Sequence, residues 1–290
     1  MTPPTGGATY TGHGLGKLIV LGEHSVVYGH RALAAAVSLG TTVTLTPRPG
    51  PTGLAASDIQ DARLVEALAV ALPAGFAVDI RTELPVGRGM GSSAALTVAL
   101  LRAAAAARGE TLDAETLHQR GFAVERVFHG DPSGLDHAVA ASGGALLYRR
   151  GEAPETIAMA PTRVVVLDSG IAGDTGALVA GVASRRPGID PALARLGALA
   201  ELGVGCLGDV DALGDVLNEA HERLRTIGVS TPQLDAMVAL ARDAGSPGAK
   251  LSGAGGGGVV LALAGEVEGV ILRAATERGI NAFACWLPGN

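Results

Sequence analysis

Three glycines at alternate positions, followed at once by a serine pair and an alanine-rich run, most constrain what this chain can fold into: Pro85-Val86-Gly87-Arg88-Gly89-Met90-Gly91-Ser92-Ser93-Ala94-Ala95. Residues 76–83 before it alternate apolar and polar as a strand does, and 92–108 are rich in Ala and Leu, so the glycines fall at a strand-to-helix turn. Without Cβ atoms the backbone can approach a ligand closely. The helix start beyond offers free N–H groups and the positive end of the helix dipole. Together these make a phosphate cradle. An ordinary turn with a serine N-cap needs one serine and one or two glycines, fewer than stand here.

Two other glycine loops do not fit. A G-x-x-x-x-G-K-[ST] nucleotide loop is absent, because Leu18 follows Lys17 and Leu251 follows Lys250. The dinucleotide fingerprint fails at 87–92, where Ser92 takes the third glycine position and no strand ending in an acid follows at the required distance. Gly253, Gly255 and Gly258 match G-x-G-x-x-G, yet a strand rather than a helix follows at Val259. Residues 252–258 therefore read as a second glycine loop, packed against a ligand or against the first cradle.

Much of the glycine excess, 43 of 290 residues, lies in such clusters. A net charge of −6 argues against a nucleic-acid binder or a binder of acidic membranes, which need a basic surface, so an anionic ligand must be met by a local site. The 48% hydrophobic content with only 3% aromatic residues implies a core of small aliphatic side chains. Cys206 and Cys285 make neither a disulfide framework nor a C-x-x-C pair, which suits a reducing cytoplasm. No apolar run is long enough for a membrane span, and the first 13 residues lack the pattern of a signal peptide, so the whole chain reads as the mature protein. Of the 22 basic residues only Lys17 and Lys250 are lysines, in a chain that otherwise uses Arg. Codon bias is one account; the other is a need for a compact point charge at two glycine-flanked places.

Strands are expected at 17–21, 41–46, 76–83, 145–148, 163–168, 259–264 and 282–286. Helices are expected at 58–72, 92–108, 113–128 and 266–278, with four more between 174 and 244. The polar, Pro-containing stretch 149–162 sets a domain boundary, giving 1–158 and 159–290. The mixture predicts α+β layers in both halves.

Two more clusters carry chemistry. In Glu125-Arg126-Val127-Phe128-His129-Gly130-Asp131-Pro132-Ser133-Gly134-Leu135-Asp136-His137, one carboxylate sits near a helix end and the other follows a Pro-Ser-Gly turn. Flanking a phosphate loop, they suit one metal ligand and one group that handles an acceptor proton. An exposed helix carboxylate for Glu125 and a helix N-cap for Asp136 are the plainer alternatives. In Gly22-Glu23-His24, His24 could donate to a substrate carboxylate or hydroxyl, and Glu23 could orient it or bind a hydroxyl itself. The seven histidines show no transition-metal spacing.

In this order, the four segments resemble the GHMP small-molecule kinase superfamily. Residues 85–95 look like its P-x-G-x-G-L-G-S-S-A-A phosphate loop with Met90 for Leu, and 250–258 look like its C-terminal glycine motif. Residues 16–29 and the Glu-x-x-x-His-Gly-x-Pro-Ser-Gly-Leu-Asp core from Glu125 are most similar to the mevalonate kinase branch. Galactokinases usually carry Asp after the Glu-His pair, and phosphomevalonate kinases usually Tyr in place of that His. Three positions depart from the pattern: Leu15 for Pro, His137 for Asn, and the added cation of Arg88.

The resemblance implies an N-terminal mixed α/β domain of the ribosomal-protein-like kind that binds ATP, and a C-terminal ferredoxin-like α+β domain. It implies transfer of the ATP γ-phosphoryl to the 5-hydroxyl of mevalonate. Pro85, Gly87, Gly89, Met90, Gly91, Ser92, Ser93 and Ala94 would hold the triphosphate, and Ser93 with Glu125 would ligate Mg²⁺. Asp136 would accept or orient the hydroxyl proton, while Lys17 stabilises developing charge and keeps Asp136 ionised. Glu23, His24, Thr175, Gly253 and Ala254 would contact the acceptor, with Thr175 otherwise a helix N-cap. Another acceptor of the superfamily or a non-catalytic binding role stays open, and so does the oligomeric state, a homodimer included.

Overall fold

The computed structural model describes residues 8–129 and 134–289. In chain order the elements are β1 (Tyr10–Leu21), β2 (Ala32–Pro47), β3 (Gly53–Ser57), α1 (Leu64–Ala71), β4 (Phe76–Thr82), α2 (Ser92–Ala107), α3 (Ala114–His129), α4 (Leu135–Ser142), β5 (Ala145–Tyr148), β6 (Glu155–Ile157) and β7 (Thr162–Asp168). There follow α5 (Thr175–Ser184), α6 (Asp190–Gly205), α7 (Val210–Thr226), α8 (Pro232–Asp243), β8 (Ala249–Ser252), β9 (Val259–Leu263), α9 (Glu268–Glu277) and β10 (Asn281–Leu287). The expected helix at 58–72 is shorter. Its first residues are drawn off into turns, because Ser57 Oγ accepts from Ile59 N and Asp61 accepts from Arg63 N, the local bonds that compete with a helix. Among the described residues no helix is long and apolar enough to cross a membrane.

The chain gathers into two compact units, one of Met1–Gly16, Leu39–Val86 and Gly91–Ser142, the other of Lys17–Ser38, Gly87–Met90 and Gly143–Asn290. In the first, β3, α1 and β4 form a βαβ unit with β3 parallel to β4, and β4 runs antiparallel to residues 41–47 of β2. Leu64, Leu68, Leu96, Leu100, Val124 and Phe128 close a core over Val43, Val78 and Ile80. Burying apolar area of this kind is the main source of stability. On β1, Gly12 and Gly14 lie against the stripe Ala95, Ala99 and Ala103 of α2 so closely that a Cβ on Gly14 would stand 2.0 Å from the Ala95 carbonyl oxygen. Glycine on the strand and alanine at every fourth helical position let the two backbones meet, which anchors the helix whose first turn follows the glycine turn.

In the second unit, Ala32–Ala35 of β2 pairs antiparallel with β5, and β5 with β6. A separate antiparallel sheet runs β10-β7-β9-β8. Counted from β7 that is fourth, first, third, second, the order of a ferredoxin-like β-α-β-β-α-β motif, so the expected C-terminal fold is found. Val164–Leu167 and the whole of β9 are buried, as interior strands covered on both faces are. Helices α5 to α8 supply the long first crossover and α9 the second.

Candidate active site

The glycine turn is built as its sequence demands. Gly87, Gly89 and Gly91 have φ of 73°, 80° and 70°, a left-handed backbone that residues with side chains rarely adopt. Gly91 is the N-cap of α2, and no side chain fills the cap, so the first N–H groups of the helix at Ser92, Ser93 and Ala94 have no capping acceptor. Ala94 itself is core, and Ser92 and Ser93 are half-buried. Within the second unit, Met90 is buried and its carbonyl accepts from Lys17 N at 2.9 Å, tying Gly87–Met90 to β1. The guanidinium of Arg88, the departure in this loop, pairs with Asp168 at the end of β7, Nε to Oδ1 3.2 Å.

Around the first turn of α2 the first unit assembles an oxygen-rich cluster. Glu125 is 1% exposed, so it is no surface carboxylate. Thr97 Oγ1 donates to its Oε1 at 2.8 Å, and Ser93 Oγ lies 3.5 Å from Oε2 and 2.9 Å from His129 Nε2. Ser93 and Thr97 are one turn apart on α2, as Glu125 and His129 are on α3, so two helices present two side chains each to one place. A buried carboxylate beside a hydroxyl is a hard-oxygen pair that suits a divalent cation completing its shell with water and phosphate. Thr97 and His129 were not singled out in the sequence, although the one-turn spacing from Ser93 and Glu125 marks both. Among the described residues no set of three or more His, Cys, Asp or Glu could hold a metal by itself.

Asp136 is the second residue of α4, half-buried, in the helix rather than at its N-cap. Gly130, Asp131, Pro132 and Ser133 of the same motif lie outside the described residues. The neighbouring departure, His137, is buried: its ring stacks on His118 at 4.6 Å and meets Phe122 edge-on at 4.5 Å. Burial lowers its pKa to about 4. It is a packing residue between α3 and α4.

In the second unit, Lys17 is 3% exposed on β1. The turn after β1 carries Glu23 and His24, both buried, and His24 is the one described non-glycine residue with positive φ, at 59°. His24 Nε2 lies 2.8 Å from the Ala254 carbonyl. A carbonyl only accepts, so Nε2 carries the proton and Nδ1 is the acceptor of a ring that burial keeps neutral. The expected donation from His24 to a substrate is thus already spent on the second glycine loop, and Nδ1 can instead accept from a hydroxyl. Lys250, the other lysine, is wholly buried on β8 and donates to Glu23 Oε1. Burial pushes the Glu23 carboxyl up and the Lys250 ammonium down, and each charge opposes the other's shift. Gly253, at φ 95°, passes within 3.8 Å of the Gly89 Cα at the position of its missing Cβ, which brings the two glycine loops together. Thr175 is exposed at the start of α5, and the cap there is Asp174, whose carboxylate accepts from Ala177 N, not Thr175.

Comparison with known proteins places this arrangement. The family profile "GHMP kinases N terminal domain" matches residues 59–144, and "GHMP kinases C terminal" matches 192–281. The mevalonate kinase of Thermococcus gammatolerans is 34% identical over 91% of this chain and 91% of its own length, and that of Pyrococcus abyssi 35% over 86% of each. Among solved structures, L. major mevalonate kinase in complex with R-mevalonate superposes with a TM-score of 0.89 at 26% identity, covering 99% of this chain and 98% of that one. The Methanococcus jannaschii mevalonate kinase shares the fold at a TM-score of 0.87, 23% identity, and 98% and 99% coverage. The chain belongs to the GHMP kinase family and is an ATP-dependent kinase.

Proposed function

We propose that this protein transfers the γ-phosphoryl group of Mg-ATP to the 5-hydroxyl of mevalonate, giving 5-phosphomevalonate and ADP. The observation that carries the phosphoryl-transfer chemistry is the buried Glu125 carboxylate, hydrogen-bonded by Thr97 and adjoined by Ser93, one turn into the helix that follows the glycine turn. The acceptor is narrowed by the relatives, which are named mevalonate kinases, and by the L. major enzyme solved with R-mevalonate.

Gly87, Gly89 and Gly91 let the backbone close on the triphosphate, framed by Pro85 and Met90, and the N–H groups of Ser92, Ser93 and Ala94 donate to phosphate oxygens. Ser93 and Glu125 would hold Mg²⁺, which when bound neutralises charge on the β- and γ-phosphates. The hydroxyl oxygen of the acceptor forms its bond to phosphorus as the bond to the bridging oxygen breaks and ADP leaves. Asp136 accepts or orients the hydroxyl proton, and Lys17 stabilises the negative charge that develops on the transferred group. Glu23, His24, Thr175, Gly253 and Ala254 contact the acceptor.

The two family profiles fall on either side of a division at 158 and 159, which supports 1–158 as the ATP-binding and catalytic domain and 159–290 as the domain with the second glycine motif. Two free cysteines, one of them buried, suit a cytoplasmic enzyme. The test is ADP release with Mg-ATP and, separately, mevalonate, phosphomevalonate, homoserine and galactose. Stimulation by mevalonate alone is expected; stimulation by another acceptor, or by none, refutes the assignment.

A further inference from the structure

In a chain of 290 residues with two lysines, one lysine is committed to a place that no solvent reaches. Lys250 donates to Glu23 Oε1, 227 residues away in sequence, and its Nζ lies 3.4 Å from the Ile19 carbonyl. The bond occupies one carboxylate oxygen. The other, Glu23 Oε2, is buried and has no hydrogen-bond partner among the described residues. A carboxylate oxygen stripped of water and left bare is costly, and native structures keep such groups rare.

Three further bonds fasten the end of β1 and the turn after it to the same segment. Ser252 Oγ lies 3.0 Å from both Ile19 N and Ile19 O, and the Ala254 carbonyl accepts from His24. Alternate residues of 250–254 therefore hold the end of β1 and both residues of the Glu23-His24 pair. The turn so fastened carries two hydrogen-bond acceptors, the buried Glu23 Oε2 and His24 Nδ1. Both call for a hydroxyl donor.

We propose that Lys250 is a positioning residue for the acceptor, orienting the Glu23 carboxylate through the buried ion pair so that Oε2 receives a hydroxyl of the bound alcohol; this rests on the assignment of Glu23 to acceptor binding above. A lysine suits the task where this chain's usual arginine does not, because a compact ammonium neutralises one oxygen without the planar fork that would engage both. Besides Lys250, the cation facing Glu23 is Lys17, while His221 faces Lys250 from α7, paired in turn with Asp235. Without Lys250, burial drives the Glu23 carboxyl toward its neutral form, opposed by its own backbone N–H and by Lys17, and a neutral carboxyl is a poorer acceptor.

The experiment compares the full-length wild type with Lys250→Met, Glu23→Gln and the double variant, measuring kcat and both KM values from pH 6 to 9. Lys250→Met is expected to raise KM for mevalonate tenfold or more at pH 7, to leave KM for Mg-ATP within twofold, and to recover as pH rises and Glu23 ionises. A folded Lys250→Met enzyme with unchanged mevalonate KM, or with a defect independent of pH or shared equally by ATP, overturns the proposal. Should Lys250→Met fail to fold, the double variant, which removes both buried charges, decides. Its mevalonate KM should equal that of Glu23→Gln alone, and a further increase would show that Lys250 acts otherwise than through Glu23. A wild type that mevalonate does not stimulate would overturn the proposed function and this inference with it, whereas normal mevalonate kinetics in Lys250→Met overturns the inference alone.

Discussion

Lowering the pH from 7 to 5 should weaken this protein by an amount traceable to individual buried histidines, His221 and His137 alike. His221 is 1% exposed on α7, with Nε2 3.1 Å from Asp235 Oδ1 and Nδ1 facing the Leu251 N–H at 3.4 Å. An N–H only donates, so Nδ1 is the acceptor and Nε2–H bonds Asp235. Charging the ring would put a second proton against the Leu251 N–H. Burial lowers the pKa from 6.5 to about 4, despite the attraction of Asp235. The folded value lies below the unfolded one, so the unfolded chain binds more protons in between. The stabilising difference is complete above pH 6.5 and is lost progressively as pH falls toward 4. Between pH 7 and pH 5 the loss is about 2 kcal/mol for this one group, a large part of a typical folding free energy of about 5–15 kcal/mol. The assay is urea unfolding of wild type and His221→Gln at both pH values, with the imidazole followed directly by NMR. The variant should lose about 2 kcal/mol less than wild type over this interval. An equal loss in the two proteins, or a His221 resonance titrating near 6.5, would refute the reasoning.

Three further outcomes follow from the geometry. Asp136→Asn should keep nucleotide affinity within a few-fold and lower kcat by orders of magnitude, as loss of a transition-state interaction does; wild-type turnover removes Asp136 from the mechanism. Thr97→Val deletes the donor to Glu125 Oε1 and should raise the Mg²⁺ concentration for half-maximal rate, with Ser93→Ala and Glu125→Gln raising it further; unchanged Mg²⁺ dependence in all three refutes the metal assignment. Gly14→Ala sets a methyl 2.0 Å from the Ala95 carbonyl and should cost about 3 kcal/mol or prevent folding, read as a drop in Tm, while a stable variant would show that β1 does not pack on α2 as described.

Local physics was open to reading from the chain. Alternating glycines before a serine pair specify a left-handed turn into a helix whatever surrounds them, and Gly87, Gly89 and Gly91 form one. Helix α2 and strand β5 stand where composition and spacing put them, at Ser92–Ala107 and Ala145–Tyr148, and four helices fill the region before β8. Where the local signal fails, the cause is burial on both sides. Residues 32–37 of β2 are buried without alternation, so only its second half, 41–46, showed the strand period. Strand β8 is four residues long and reads as the edge of a glycine loop until it pairs with β9.

The chemistry divides the same way. The glycine turn and the carboxylates Glu125 and Asp136 stand out along the chain because residue type and short spacing mark them. The state of each side chain does not, because it depends on what a distant segment brings. Thr97 turns a possible surface acid at Glu125 into a buried, hydrogen-bonded one across 28 residues, and Ala254 takes the proton that the sequence left free on His24. Most of all, Lys250 and Glu23 look like two unrelated charges along the chain. Only the fold joins them out of reach of water, where an ion pair is strong and the second carboxylate oxygen is left without a hydrogen-bond partner among the described residues.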